Sequence, residues 1–287
     1  MADLIQNRSD IRLNRPVLVA AFRGWNDAGD AASFAATHLG RVWAAEPIAS
    51  IDPEEFYDFQ DVRPTVELVD GVTRKISWPT NEFSAARLPT GHRDVILLVG
   101  TEPNMRWRTF ASLVVELAQK HHVEFVVTLG ALLADVPHSR PVPITGTAVS
   151  DELIQRLGLH RSRYEGPTGI VGVLHDAFSK AGIDSASLWA AVPHYLAVSP
   201  NPKAALALVD KATDLIGVPV DISDLERATA AYESRVADMV AGDDDVGAYV
   251  RMLEERTDEE ETETAELPSG DALAAELEKF LRERDEN

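Results

Sequence analysis

Four short runs of aliphatic and β-branched residues do most to limit what this chain can fold into. They are Val17 to Phe22 (after Pro16), Val95 to Val99, Val123 to Val127 and Leu188 to Val192. Each is too short for an ordinary helix and too continuously apolar for a strand with one wet face. The first, second and fourth are each followed by a turn and then by residues at helical spacing, and the third by a proline-rich loop. Asp27 to Leu39 follows the first run and is dense in alanine, a composition that lets a helix lie close on a sheet. Asn104 to Lys120 follows the second, with Trp107, Phe110, Val114 and Leu117 on one face. Asn201 precedes Pro202 in the last, a cap and first-turn pair for a helix that runs to Gly217. Buried strands alternating with helices predict a three-layer α/β/α sandwich with a mixed, mostly parallel sheet.

Shorter signals fill the gaps. Pro47 to Ile51 reads as another strand, and Asp52 to Val62 as irregular chain. Val66–Leu68 and Thr73–Ser77 flank Asp70-Gly71, a hairpin signal expected to supply the antiparallel part of the sheet. Trp78 to Gly91, with Pro79 and Pro89, reads as a loop. Ser150 caps a helix ending near Gly158, and Gly166-Pro167-Thr168-Gly169 makes a tight turn into a helix over Ile170–Lys180.

Charge separates the chain into a body and an appendage. Residues 221–287 hold 22 acidic and 7 basic side chains, which is −15 of the formal −20. A surface of that sign repels phosphate backbones, so nucleic acid is not expected as a partner. No run approaches the ~18 apolar residues of a membrane span. There is no cysteine, and the first residues lack the basic and apolar regions of a secretion signal, so a cytoplasmic protein is expected. The expected boundaries are an α/β domain over 1–219 and a helical hairpin over 220–255, opened by a Ser223/Glu226 capping box. An acidic linker over 256–268 and a last amphipathic helix over 269–287 complete the chain.

If the four strands are parallel, their C-terminal ends share one edge, where open α/β sheets place ligands and partners. That edge gathers Asn26, Asp27, Asp30, Glu102, Gly130, Asp135, His138, Arg140, His194 and Tyr195. Asp135, His138 and Arg140 sit in Thr128–Gly146, a stretch that three prolines make into a rigid, shaped loop. Asp27 and Asp30 lie on one helical face, where acids in a first turn stabilise the helix dipole and can cap it. Asp135 can orient His138 as a base, but no convincing Ser or Thr nucleophile stands beside them. Gly24 and Gly29 do not fit the dinucleotide fingerprint, no phosphate-binding P-loop occurs, and no His/Asp/Glu set has the spacing of a metal site. No catalytic set, cofactor or metal is predicted. The edge reads either as a recognition surface or as the pocket of an enzyme or small-molecule binder.

Four pieces, VLVAAFRGWNDAGDAA (17–32), TLGALLADVPHSRPVPITG (128–146), YEGPTGIVGVL (164–174) and AVPHYLAVSPNPKA (191–204), resemble the PAC2 family, the proteasome assembly chaperone 2-like proteins. The likeness is greatest to its longer actinobacterial members. It implies a sandwich similar to phosphorylase/hydrolase-like folds, homo-oligomers, and a chaperone-like activity in which proteasome subunits are bound, without catalytic residues to carry over. Several such chaperones dock through a C-terminal hydrophobic–Tyr–any tripeptide. This sequence ends Asp285-Glu286-Asn287, so assembly through the surface of the body is the expectation.

Overall fold

Along Val17–Arg23 (β2), Val17, Val19 and Ala21 enter one hydrophobic core while Leu18, Ala20 and Phe22 enter another. That alternation, with both faces apolar, marks a strand sandwiched between helix layers. The computed structural model describes residues 4–266 apart from 10, 89–91, 149–151, 153, 156–164 and 197. The other strands are Ile5–Asn7 (β1), Glu46–Ile51 (β3), Thr65–Val69 (β4), Thr73–Ser77 (β5), Asn81–Ala86 (β6), Val95–Thr101 (β7), Phe125–Ala134 (β8), Ile144–Ala148 (β9) and Asp184–Pro193 (β10). Eight of them form one sheet in the order β1-β3-β6-β7-β2-β8-β10-β9. β7, β2, β8 and β10 are parallel, and the outer strands pair antiparallel.

Ala31–Val42 (α1) and Pro202–Ile216 (α4) cover one face. Ala31, Ala32, Ala35 and Ala36 are fully buried, as a helix pressed onto a sheet requires. Trp107–Lys120 (α2) and Ile170–Lys180 (α3) cover the other, where Phe110 stacks edge-on against Phe22 and Phe56 at 6.0 and 5.6 Å. This is the expected α/β sandwich. Beyond it, Ser223–Ala241 (α5) packs on α4, and Asp244–Glu266 (α6) turns back across the C-terminal edge of the sheet.

Several local expectations are corrected. The β4–β5 hairpin forms a separate two-stranded sheet, so β1, β3, β6 and β9 supply the antiparallel pairing instead. The segment read as a loop after Trp78 contains β6, whose Phe83 and Ala85 are buried. Most of the expected loop over Thr128–Gly146 is strand, because β8 runs on to Ala134 and β9 begins at Ile144. The proline segment proper is 135–143. Helix α1 starts at Ala31, after a 3-10 turn in which Gly29 has a φ of 61°. Ser223 does not make a capping box. Its N–H and hydroxyl both donate to Asp221, at 2.9 and 2.6 Å. Helix α6 continues through residues 256–266, where the composition predicts a linker. The helix expected over 269–287, and all but three residues of the one after Ser150, lie outside the described residues.

Candidate functional site

The parallel pairing brings the ends of β2, β7, β8 and β10 to one edge, as the strand order requires, and their side chains fall into two groups there. In the first, Asn26 (1% exposed) donates to Glu102 Oε1 at 2.8 Å, and the Ile170 N–H donates to the same oxygen at 2.7 Å. A carboxylate at the start of α3 complements the helix dipole. Gly169 lets that helix seat on Asn26, since a Cβ there would lie 2.4 Å from Asn26 Oδ1. Glu102 thus ties β2 and β7 to the start of α3, and the bond to Asn26 spans 76 residues of sequence. Asp27 accepts the N–H groups of Ala32 at 2.7 Å and Ser33 at 3.2 Å, capping α1 from across the 3-10 turn. Burial raises its pKa, and those same bonds oppose the rise. Asp30, exposed, accepts the Ser199 hydroxyl. The two aspartates therefore do separate structural work. Gly130 is placed for packing too: it faces Trp189 across the β8–β10 pair, and a Cβ would come within 2.6 Å of that ring.

The second group surrounds the proline segment. The His138 N–H donates to the Tyr195 hydroxyl at 2.8 Å, and Nδ1 of the same histidine lies 2.9 Å from it. A neutral imidazole with Nδ1 unprotonated would accept the Tyr195 hydroxyl proton across that contact. Burial, then the nearby Lys203 ammonium, holds the His138 pKa below its ordinary value. Lys203 donates to the His138 carbonyl at 2.7 Å and pairs with Glu233 at 2.8 Å. His194 lies 3.0 Å from Asp135. Helix α6 closes over the group. Arg140 grips Asp258 through two 2.7 Å bonds and lies 3.8 Å from Glu254, and Ser139 donates to Glu254. Tyr249 donates to Asp135 at 3.4 Å, and Arg256 donates to the Asp135 carbonyl. The rings of His194, Tyr195 and Tyr249 meet edge to face at 5.6–5.9 Å. Under Val136, His138 and Arg140 remains a cavity of about 10 Å³, room for about one water.

Besides the Tyr195–His138 contact, two hydroxyl–imidazole contacts lie inside the sandwich, where Thr128 Oγ1 is 3.0 Å from His175 Nε2 and Ser185 Oγ is 2.8 Å from Nδ1. Thr128 also donates to Ser187 at 2.9 Å. Thr128, Ser185 and Ser187 are buried, and the His175 pKa is lowered by burial to about 4. The chain is a satisfied internal network. Its signal in the sequence is a polar residue at alternate positions of an apolar strand, Ser185 and Ser187. Among the described residues, no three His, Asp or Glu side chains are grouped to hold a metal ion. An open groove of about 490 Å³ lies elsewhere, between α1 and β6–β7, lined by residues that include Arg23, Arg41, Trp78, Glu82 and Leu97. The strand ends and the connections after them also expose apolar side chains: Trp25 at 67%, Leu133 at 60%, Leu132 and Met105.

A family model described as the PAC2 family matches residues 21–240. Among solved structures, the chain is similar to a PAC2 family protein from Streptomyces avermitilis (48% identity, TM-score 0.76), with 82% of this chain and 99% of that one covered. It is similar to a proteasome-assembly chaperone homologue of Mycobacterium tuberculosis (49% identity, TM-score 0.75), again over 82% and 99%. A further M. tuberculosis protein, of unknown function, shares 26% identity over 92% of both chains with a TM-score of 0.83. Among curated proteins there is no match.

Proposed function

The chain belongs to the PAC2 family, and from that premise we propose that it is a non-catalytic, chaperone-like module that binds proteasome subunits during their assembly. The observation that carries this reading is the 49% identity, over 82% of the chain, to a protein described as a proteasome-assembly chaperone homologue. The edge of the sheet supports it. Asp27, Glu102, His138 and Arg140 are each engaged in hydrogen bonds within the chain, the cavity has room for about one water, and the rim exposes Trp25 and Leu133. Exposed apolar side chains beside a rigid polar frame suit protein recognition better than turnover. We also propose that the protein is a cytoplasmic homo-oligomer, a reading supported by its cysteine-free sequence and by its membership of the family. Mixing purified protein with proteasome α-subunits, and following ring formation by native electrophoresis, tests the proposal. Faster ring formation that is lost in Trp25→Asp/Leu133→Asp supports it. Unchanged assembly kinetics, with no complex seen, overturns it.

A second reading, a small-molecule binder, rests on the groove between α1 and β6–β7, whose volume suits a ligand. Thermal-shift screening with nucleotides and small carboxylates tests it. Stabilisation that Arg41→Ala removes would favour this reading over the first.

A further inference from the structure

Helix α6 is held to the body in an unusual way for a helix of 23 residues. Only Val250 and Leu253 are buried among its described side chains, and six of the others are carboxylates: Asp244, Asp245, Glu254, Glu255, Asp258 and Glu259. A helix of this composition has too narrow an apolar stripe to be kept in place by hydrophobic burial alone. What keeps it there is a set of polar and ring contacts converging on two short stretches, Asp135–Arg140 and His194–Tyr195. The family match stops at residue 240, so the helix lies beyond the part of the chain that the family model describes.

The contacts have a polarity. On one side of the helix the body supplies donors: Ser139 and Arg140 receive the carboxylates of Glu254 and Asp258. On the other side it supplies acceptors: the Asp135 carboxylate takes the Tyr249 hydroxyl, and its carbonyl takes Arg256. Between the two lie the rings of His194 and Tyr195, against which Tyr249 packs. Tyr249 and Leu253, and likewise Glu254 and Asp258, are four apart and so share a helix face. A surface with donors on one flank, acceptors on the other and rings between them selects both the charge and the direction of the helix laid on it.

We infer that the proline segment 135–140, with His194 and Tyr195, is a receptor for an acidic amphipathic helix. Helix α6 fills it in cis, and a partner helix carrying the same tyrosine, leucine and carboxylate pattern binds there in its place. The inference rests on these contacts alone and stands whether or not the partner is a proteasome subunit. Because α6 is tethered, it competes at a high local concentration, so an external helix gains access when α6 is loosened.

The probe is a fluorescein-labelled peptide of residues 244–266, titrated by anisotropy into the full chain. Leu253→Asp, which places a charge at the buried contact of α6, is expected to bind it at least about tenfold more tightly than the unaltered protein. Adding Arg140→Glu to that variant is expected to remove at least about tenfold of the affinity, and raising the salt to weaken what remains. Circular dichroism checks that the variants stay folded, and Tyr249→Ala, which loses only surface contacts, replaces Leu253→Asp if that variant does not. Equal binding by the unaltered and released proteins overturns the inference. So does indifference to Arg140→Glu, or equal binding of a scrambled peptide of the same composition. A released variant that forms dimers and excludes the peptide also overturns it, in favour of exchange of α6 between two copies.

Discussion

Two residues singled out at the strand ends have structural roles that substitution can separate. Asp27 is 5% exposed and accepts two backbone N–H groups of α1. Asp27→Ala leaves those donors buried and unpaired, and is expected to cost about 2 kcal/mol. Asp27→Asn keeps an acceptor oxygen and sheds a charge that burial disfavours, so it is expected to stay within about 1 kcal/mol of the original. Chemical denaturation of the two variants checks this, and equal losses would show that the charge itself matters. Gly130 is small because Trp189 lies over it. Gly130→Ala is expected to cost about 1–3 kcal/mol through overpacking. Pairing it with Trp189→Leu should return part of that loss, since neighbours sharing a contact are not additive. Additive losses would mean that the ring is not what excludes the Cβ.

At the scale of elements, the β4–β5 hairpin stands apart from the main sheet, and a two-stranded sheet alone is marginal in water. Its turn residues, Asp70 and Gly71, have φ of 53° and 71°, the pair of positive values that a tight hairpin turn needs. Gly71→Val is expected to collapse hydrogen-exchange protection in Val66 to Ile76 while the global denaturation midpoint moves by less than about 0.5 kcal/mol equivalent. A large global shift would show the hairpin to be coupled to the core. The same scale explains what was legible in the sequence. The four parallel strands were plain because continuous apolar runs of that length have no other stable use. Strand β6 was hidden: NEFSAA has one polar face toward the open groove, and Pro79 stands just before it. The end of β8 was hidden because Leu132 and Leu133 are exposed and Gly130 breaks the pattern. Helix α6 reads as open chain past residue 255 because of its density of like charge, while its anchor, Arg140 to Asp258, is 118 residues away in sequence. Local pattern reveals elements, but it cannot reveal partners that only the assembled sheet brings together. For that reason the sequence places these residues at strand ends, while their pairing is visible only in the assembled sheet.

For the whole molecule, pH is the variable that the buried network makes informative. His175 titrates near pH 4 in the fold, against about 6.5 in an unfolded chain. Its folded value is the lower one, so between the two the unfolded chain binds the extra proton, and stability falls as pH falls through that window. From pH 7 to pH 5 the expected loss from this group is at most about 2 kcal/mol. His138, also depressed by burial, adds in the same direction. The window lies mostly above the range in which ordinary carboxylates titrate, so the imidazoles dominate it despite the chain's large acidic excess. Urea denaturation at a series of pH values between 5 and 7 measures the slope. His175→Gln, which keeps hydrogen-bonding groups facing Thr128 and Ser185 but takes up no proton, is expected to flatten it. A slope that survives this substitution unchanged would place the acid sensitivity elsewhere, with His138 and the ion pairs that hold α6 as the next groups to test.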